Sequence, residues 1–303
     1  MARRREHVAA IDVGTNAARL KLARATRSGR LEVVHSERAA IEPGEGVFEH
    51  GVMRAAAVER LCATMEAFAE VCRFHGADVR AVATSALRNA RNRDAVVARV
   101  RRSSGVRLEV IDGLEEARLT ALGVLNGRDD DERTVCIDIG GGSTEVMLGA
   151  GERLVSAHSV EVGGVRLRQT VGDELAELRQ AARGAVATFQ ARLGKRWIGE
   201  DATAIGCSGS VRALIAFATA EARRYVTRAE LSGTVEELAR LSHEDRVRFF
   251  GRRAAIALPA AVILEQTMQR LGLWAVRATR RGLRDGVLVE LGRARRERVR
   301  AAS

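Results

Sequence analysis

Aromatic side chains are scarce in this chain: phenylalanine, tryptophan and tyrosine together make up 3% of the 303 residues. Proteins that bind single-stranded nucleic acid stack the bases on aromatic rings, and few such rings are available here. No recognition-helix motif stands out either. The composition therefore argues against nucleic acid as a partner.

Long apolar runs are also missing, and the arginine-rich residues 1–7 are not followed by an apolar stretch. This excludes a membrane span and a signal peptide, so we expect a cytoplasmic protein with no membrane partner. The four cysteines (Cys62, Cys72, Cys136 and Cys207) lack Cys-x-x-Cys spacing. They indicate small core residues in a reducing compartment, and neither a zinc site nor a disulfide framework.

Arginine and apolar residues are plentiful instead. The net charge is +11, although Lys21 and Lys195 are the only lysines. A solvated basic surface explains this excess, and so does a polyanionic partner, because guanidinium groups match phosphate oxygens. Hydrophobic residues make up 46% of the chain, enough for a core in each of the two domains that its length suggests.

Each half of the chain begins with a similar phrase, AIDVGTN at residues 10–16 and CIDIGGGST at residues 136–144. Predicted strands and helices alternate after both. We therefore predict two α/β domains, at residues 1–127 and 133–303, joined by the acidic loop 127–133. Two such lobes would face each other across a cleft, with each turn contributing to one ligand site.

The turn in each phrase has the composition of an anion-binding nest, in which glycines let backbone N–H groups converge on phosphate. The aspartate that ends the strand is then available for a divalent cation. One copy is an ordinary strand-ending turn, but two copies at the start of repeated domains favour binding. A third turn, Ser208-Gly209-Ser210, could be a helix cap or a further phosphate contact.

Three charged residues have simple structural explanations. Glu115 and Glu116 fall in the first turn of a predicted helix, where the helix dipole stabilises acids. Arg88 follows a predicted strand, and an arginine in this composition is by default a surface residue. The residues alone assign none of the three to catalysis.

Seven ordered motifs together resemble the exopolyphosphatase and guanosine pentaphosphate phosphatase (Ppx/GppA) family. They are IDVGTNAARL (11–20), ATSALRNARN (83–92), IDGLEEARL (111–119), IDIGGGSTEV (137–146), VGGVRL (162–167), GCSGSVRAL (206–214) and GLRDGVL (282–288). The resemblance implies two ribonuclease-H-like lobes of the actin, sugar-kinase and heat-shock ATPase superfold. It also implies hydrolysis of a terminal phosphoanhydride in inorganic polyphosphate or guanosine pentaphosphate, with Mg²⁺ or another divalent cation.

The same resemblance assigns roles to individual residues. Glu116 matches the base that deprotonates the attacking water, and Asp138 and Glu145 match the carboxylates that organise the metal. The phosphate-binding positions are Gly14, Thr15, Asn16, Arg88, Gly140, Gly141, Gly142, Ser143, Thr144, Ser208, Gly209 and Ser210. Phosphoryl transfer needs these three kinds of group: donors around phosphate, a hard cation and one base.

The chain departs from the family pattern at four positions. Ala17 stands where a hydroxyl residue is usual, Ala255 where an aspartate is usual, and Ala260 where a glycine is usual. Asp285 replaces a common glutamate. These changes bear on efficiency and substrate choice and leave the expected base and metal carboxylates in place. The length matches the short, two-domain members, and a homodimer is compatible with this prediction.

Two alternatives stay open from the sequence. The chain could be an ATP-using kinase of the sugar-kinase type, because such enzymes share the phosphate-binding turns. It could also be a non-catalytic sensor of polyphosphate or an alarmone, since the side chains missing at Ala17 and Ala255 weaken the case for turnover. Metal-dependent release of free phosphate separates a hydrolase from both.

Overall fold

The computed structural model describes residues 6–26, 30–129, 132–193, 203–220 and 222–301. The chain divides into two compact units. The first comprises Met1–Asp112 together with Leu283–Ser303, and the second comprises Gly113–Gly282. Each unit is built on one mixed sheet with helices packed against it, so the predicted α/β class is confirmed.

The first unit has a five-stranded sheet in the order β3-β2-β1-β4-β5. Its strands are β1 (His7–Val13), β2 (Ala18–Ala25), β3 (Leu31–Ala39), β4 (Asp78–Ala83) and β5 (Leu108–Val110). Its helices are α1 (Val47–His50), α2 (Ala55–Phe74), α3 (Ser85–Asn89), α4 (Arg93–Ser104) and α12 (Leu283–Ala301).

Strand β1 is covered on both faces. Leu61, Met65 and Phe68 recur at helical spacing on α2 and share a core cluster with Ile11 of β1. The neighbouring Ala10 points to the opposite face and is also fully buried. Helix α12 packs against β1 as well. A continuous apolar strand is therefore buried between helices, as its sequence indicates.

The second unit has a six-stranded sheet in the order β10-β11-β9-β6-β7-β8. Its strands are β6 (Arg133–Ile139), β7 (Thr144–Ala150), β8 (Arg153–Val160), β9 (Thr203–Gly206), β10 (Tyr225–Thr227) and β11 (Ala275–Ala278). Its helices are α5 (Gly113–Leu125), α6 (Gly164–Val171), α7 (Leu175–Leu193), α8 (Gly209–Ala218), α9 (Arg228–Arg240), α10 (His243–Phe250) and α11 (Ala254–Leu271), with a 3₁₀ turn at Gly251–Arg253.

Helix α11 forms much of the core of the second unit, because its residues are buried on nearly every side. The sequence predicts that this helix begins or kinks at Pro259. The structure instead starts it at Ala254 and keeps Pro259 inside it. Burial of this largely apolar helix offsets the one backbone hydrogen bond that proline cannot make.

The same hairpin occurs in both units, where it opens the first and follows α5 in the second. Strands β1 and β2 are antiparallel and turn between Val13 and Ala18, and β6 and β7 are antiparallel and turn between Ile139 and Thr144. The first strand of each hairpin also pairs with a parallel strand, β4 or β9. The two repeated phrases therefore occupy equivalent places in their units.

The bounds of the units differ from the predicted domains 1–127 and 133–303. Helix α5 packs against β7 and β8 of the second unit, and α12 packs against β1 and β2 of the first. The loop at residues 127–133 lies between α5 and β6, which belong to the same unit.

None of the helices in the described part of the chain is both long enough and apolar enough to cross a membrane.

Candidate active site in the second unit

The glycine turn between β6 and β7 is held by the start of helix α6. The backbone N–H of Gly164 donates to the carbonyl of Gly140 at 3.1 Å, and the N–H of Val165 donates to that of Gly141 at 2.8 Å. The Arg166 guanidinium donates to the carbonyl of Gly142 at 2.7 Å. The carbonyl oxygens of the turn are thus directed toward α6.

The backbone N–H groups of the turn, in contrast to its carbonyl oxygens, are available to a ligand. Within the residues that the structure describes, the backbone N–H groups of Gly141 and Gly142 donate no hydrogen bond. Successive free N–H groups in a glycine turn form a concavity that favours an anion. The geometry of this turn therefore fits the phosphate contact predicted for it.

Gly163 allows α6 to approach the turn this closely. A Cβ at position 163 would lie 2.5 Å from the Gly141 carbonyl carbon and 2.5 Å from the Gly142 nitrogen. Both are backbone atoms, so any side chain at position 163 would force the two segments apart. Gly163 of the Val-Gly-Gly-Val motif therefore helps to shape the turn.

The hydroxyls that end the turn are engaged inside the protein. Thr144 is fully buried and its hydroxyl donates to the carbonyl of Val162 at 2.6 Å. Ser143 is also buried, and its side chain forms a hydrogen bond with Glu145 that lowers the pKa of that carboxyl. The structure thus shows these two predicted phosphate-binding residues supporting the turn and Glu145.

Three carboxylates gather beside this turn. Asp138 on β6 and Glu145 on β7 are directly opposite each other in the hairpin, which places their side chains on one face of the sheet. Glu145 is 1% exposed and accepts a hydrogen bond from the Ser159 hydroxyl at 2.7 Å. Burial, and then the negative charges of Glu116 and Asp138, raise the pKa of Glu145 well above its ordinary value.

The two neighbouring glutamates of α5 have different surroundings. The Arg118 guanidinium donates two hydrogen bonds to Glu115, at 2.6 and 2.8 Å. Glu116 instead lies close enough to Glu145 for its charge to raise the pKa of that carboxyl. The sequence presents these acids as equivalent helix-dipole partners, whereas in the structure Glu115 pairs with Arg118 and Glu116 acts on Glu145.

The donor set suits a hard divalent cation. Across the described residues, no three or more histidine, cysteine, aspartate or glutamate side chains are arranged to hold a metal ion by themselves. Magnesium commonly takes one or two carboxylates and completes its shell with water and substrate phosphate, so a full protein cage is not required. Burial is the main cause of the raised pKa of Glu145, and the negative charges of Glu116 and Asp138 raise it further; a cation would relieve that repulsion.

The third turn lies at the start of α8 in the same unit. The Ser208 hydroxyl accepts a hydrogen bond from the N–H of Val211 at 3.0 Å, so it caps the helix. A Cβ at Gly209 would lie 3.0 Å from an Nη atom of Arg253, which places a guanidinium against the turn. Arg253 is not among the predicted site residues, although it lies two positions before Ala255, one of the departures from the family pattern.

The remaining predicted phosphate residues belong to the first unit. The turn after β1 is closed by the N–H of Gly14, which donates to the carbonyl of Ala17 at 3.1 Å. Thr15 is buried, and its carbonyl accepts from the N–H of Gly44 at 2.8 Å. Ala17 is fully buried, so its methyl group is a core contact. Arg88 donates through Nη1 to the carbonyl of Ile111 at 2.9 Å.

The family is decided by the extent of the sequence match. The sequence model of the Ppx/GppA phosphatase family covers residues 23–294. The chain belongs to this family. The family resemblance expected from the motifs is thus confirmed over most of the length.

Individual Ppx/GppA proteins match nearly end to end. Exopolyphosphatase 2 of Mycobacterium tuberculosis is 31% identical, with 94% of this chain and 98% of that protein covered. Exopolyphosphatase 1 of Mycobacterium leprae is 29% identical, with 92% and 87% covered. The crystal structure of an exopolyphosphatase from Cytophaga hutchinsonii superimposes with a TM-score of 0.85 at 24% identity, covering 95% of this chain and 98% of that one. The last match shows that the two chains share a fold.

Proposed function

We propose that this Ppx/GppA protein is a metal-dependent exopolyphosphatase, which hydrolyses the terminal phosphoanhydride of inorganic polyphosphate. The observation that carries the proposal is the position of Glu116, Asp138 and Glu145 beside a glycine turn with open N–H groups. The names of the relatives in Mycobacterium favour polyphosphate as the substrate.

The glycine turn would bind the terminal phosphate. The free N–H groups of Gly141 and Gly142 point donors at an anion without a side chain in the way. The α6 contacts hold the peptide planes of the turn, so the donors are oriented before substrate arrives. Donors fixed in this way stabilise the charge that spreads over the phosphoryl oxygens in the transition state.

Asp138 and Glu145 would hold a divalent cation, for which Mg²⁺ is our proposal. When bound, the cation supplies positive charge to the phosphate oxygens. Glu145 is kept in place by hydrogen bonds from Ser159 and Ser143. Those two hydroxyls favour the ionised form of Glu145 and so oppose the effect of its burial on its pKa.

Glu116 would accept the proton of the attacking water. As the water oxygen bonds to the terminal phosphorus, the bridging P–O bond breaks and the shortened chain leaves with its electron pair. The water proton passes to the Glu116 carboxylate. Glu115 cannot substitute readily, because its two oxygens are occupied by Arg118.

Phosphate-release assays test this function. We expect Mg²⁺-dependent release of inorganic phosphate from polyphosphates of several lengths, abolished by EDTA and restored by added metal. Guanosine pentaphosphate in a parallel assay measures the second substrate class of the family. Tight polyphosphate binding with no turnover under any metal would identify a sensor, and ATP-dependent phosphorylation of a sugar would identify a kinase; either outcome would refute the proposal.

A further inference from the structure

A cavity of about 580 Å³ lies in the first unit, between helix α4 and the edge strand β5. Four arginines line it, namely Arg88, Arg93, Arg101 and Arg107. We call this cavity the arginine pocket. All of its lining residues fall between positions 88 and 112, so it is contained in one unit.

Three carboxylates share the lining with the four arginines. Glu109 accepts hydrogen bonds from Arg80, which lies outside the lining. Asp94 is 3.6 Å from its neighbour Arg93. Asp112 is the third acid in the lining.

Two of the arginines that line the pocket are available to bind a ligand. Among the described residues, neither Arg101 nor Arg107 makes a hydrogen bond or an ion pair through its side chain. Both are exposed and can therefore meet a ligand from solution. Arginine in this state is suited to phosphate, because its planar donors match phosphate oxygens in pairs.

The arginines are spread along the pocket and not gathered at one point. Arg93 and Arg101 lie eight residues apart on one face of α4, which corresponds to about 12 Å along the helix axis. Arg107 follows the end of α4 after only a short connection, and Arg88 is bonded to Ile111 beyond the other end of β5. Positive charge at both ends suits an extended anion better than a single phosphate ion.

The pocket reaches the sheet edge that carries the first glycine turn. Strands β1, β4 and β5 are parallel, so their carboxyl ends lie at one edge of the sheet. Gly14 follows β1, Arg88 lies just after β4, and Ile111 follows β5. Ligands of open α/β sheets bind outside the carboxyl ends of the strands.

We propose that the arginine pocket is a binding site for a segment of an extended inorganic polyphosphate chain. This inference rests on the proposed function for its ligand class. It adds that Arg101 and Arg107 bind long polyphosphate chains through contacts that a short substrate does not make.

Direct binding tests the pocket without turnover. The probe is long-chain inorganic polyphosphate, titrated in EDTA at several salt concentrations and followed by calorimetry. The test variant is Arg101→Gln/Arg107→Gln, and the matched control is Arg99→Gln/Arg102→Gln, which removes the same charge from exposed positions outside the lining. The control also breaks the Arg99–Glu59 pair at 3.7 Å, an exposed contact of little energetic weight.

We expect the test variant to weaken binding by about tenfold or more at low salt. The slope of log Kd against log salt should fall by about 1.4, taking about 0.7 for each phosphate contact on a single-stranded polyanion. The control should stay within about twofold of the parent, as exposed charges usually do. Equal weakening of binding in both variants, or no weakening in either, would refute polyphosphate binding at the arginine pocket.

Turnover assays separate this inference from the proposed function. The test variant should raise KM for long-chain polyphosphate more than KM for tripolyphosphate. If the parent releases phosphate but test and control behave alike, the pocket is refuted and the hydrolase stands. If the parent releases none but the test variant still loses binding selectively, the hydrolase is refuted and the pocket stands.

Discussion

Replacing Glu116 by glutamine separates the proposed general base from its neighbours. The amide keeps the size of the side chain and a hydrogen bond to water, but it cannot accept the proton. The change also removes a negative charge that raises the pKa of Glu145. The pKa of Glu145 should therefore fall, which favours its ionised, metal-binding form.

The expected loss is large and confined to turnover. Removing a general base typically costs ~10²–10⁴ in rate. We therefore expect kcat to fall at least about 100-fold, equivalent to about 2.7 kcal/mol in the activation free energy. The lost charge of Glu116 weakens attraction of the cation while the ionisation of Glu145 strengthens it, so we expect the metal concentration for half-maximal activity to change little.

Glu115→Gln is the matched control on the same helix turn. Glu115 is 28% exposed and its partner Arg118 is 42% exposed, so their ion pair contributes about 0.2–1 kcal/mol to stability. Phosphate release should be measured for both variants across a Mg²⁺ titration, with urea unfolding as the check on folding. Similar, mild effects of the two substitutions on kcat would refute the role of Glu116.

Three further predictions follow from other contacts. Asp138→Asn should raise the Mg²⁺ requirement without changing the urea midpoint, because an amide lacks the charge that attracts a hard cation; parental activity throughout a Mg²⁺ titration would contradict this. Gly163→Ala should cut activity sharply by pushing Gly142 out of position, and near-parental kcat would show that the turn tolerates the 2.5 Å contact. Arg179→Ala should lower the free energy of unfolding by about 3 kcal/mol, since it leaves buried Glu265 without its two 3.0 Å hydrogen bonds from the guanidinium. If the free energy of unfolding in urea falls by less than about 1 kcal/mol, the remaining hydrogen-bond partners of Glu265 are sufficient to stabilise it without Arg179.

The sequence predicts well those features that are local along the chain. Helix α2 begins at Ala55 and ends at Phe74, as its apolar spacing and the following Gly76 indicate. The two hairpins follow from Asp-x-Gly turns that end apolar strands. The grouping of strands, turns and helices into a repeated pattern could therefore be read from the residues.

Features that depend on distant contacts could not be predicted. The packing of α12 in the first unit depends on pairs such as Lys21 with Asp285. Their charged atoms lie 2.6 Å apart, although the two residues are separated by most of the sequence. Likewise, Ser159 reaches Glu145 from the next strand, and Arg253 reaches Gly209 from a separate turn. A sequence motif identifies the residue type at each position, but it does not show which hydroxyl forms a hydrogen bond inside the protein.

The first unit is built from two separate segments of the chain, and this has a consequence for synthesis on the ribosome. The second unit, Gly113–Gly282, is inserted into the first, so the first unit lacks α12 until the rest of the chain has been made. During that interval the face of β1 that carries Ala10 has no helix to cover it, although its hairpin partner is already present. An uncovered apolar face on a nascent chain is prone to aggregation. The inserted unit is contiguous and can fold as soon as it emerges, so vectorial synthesis would complete the second unit before the first.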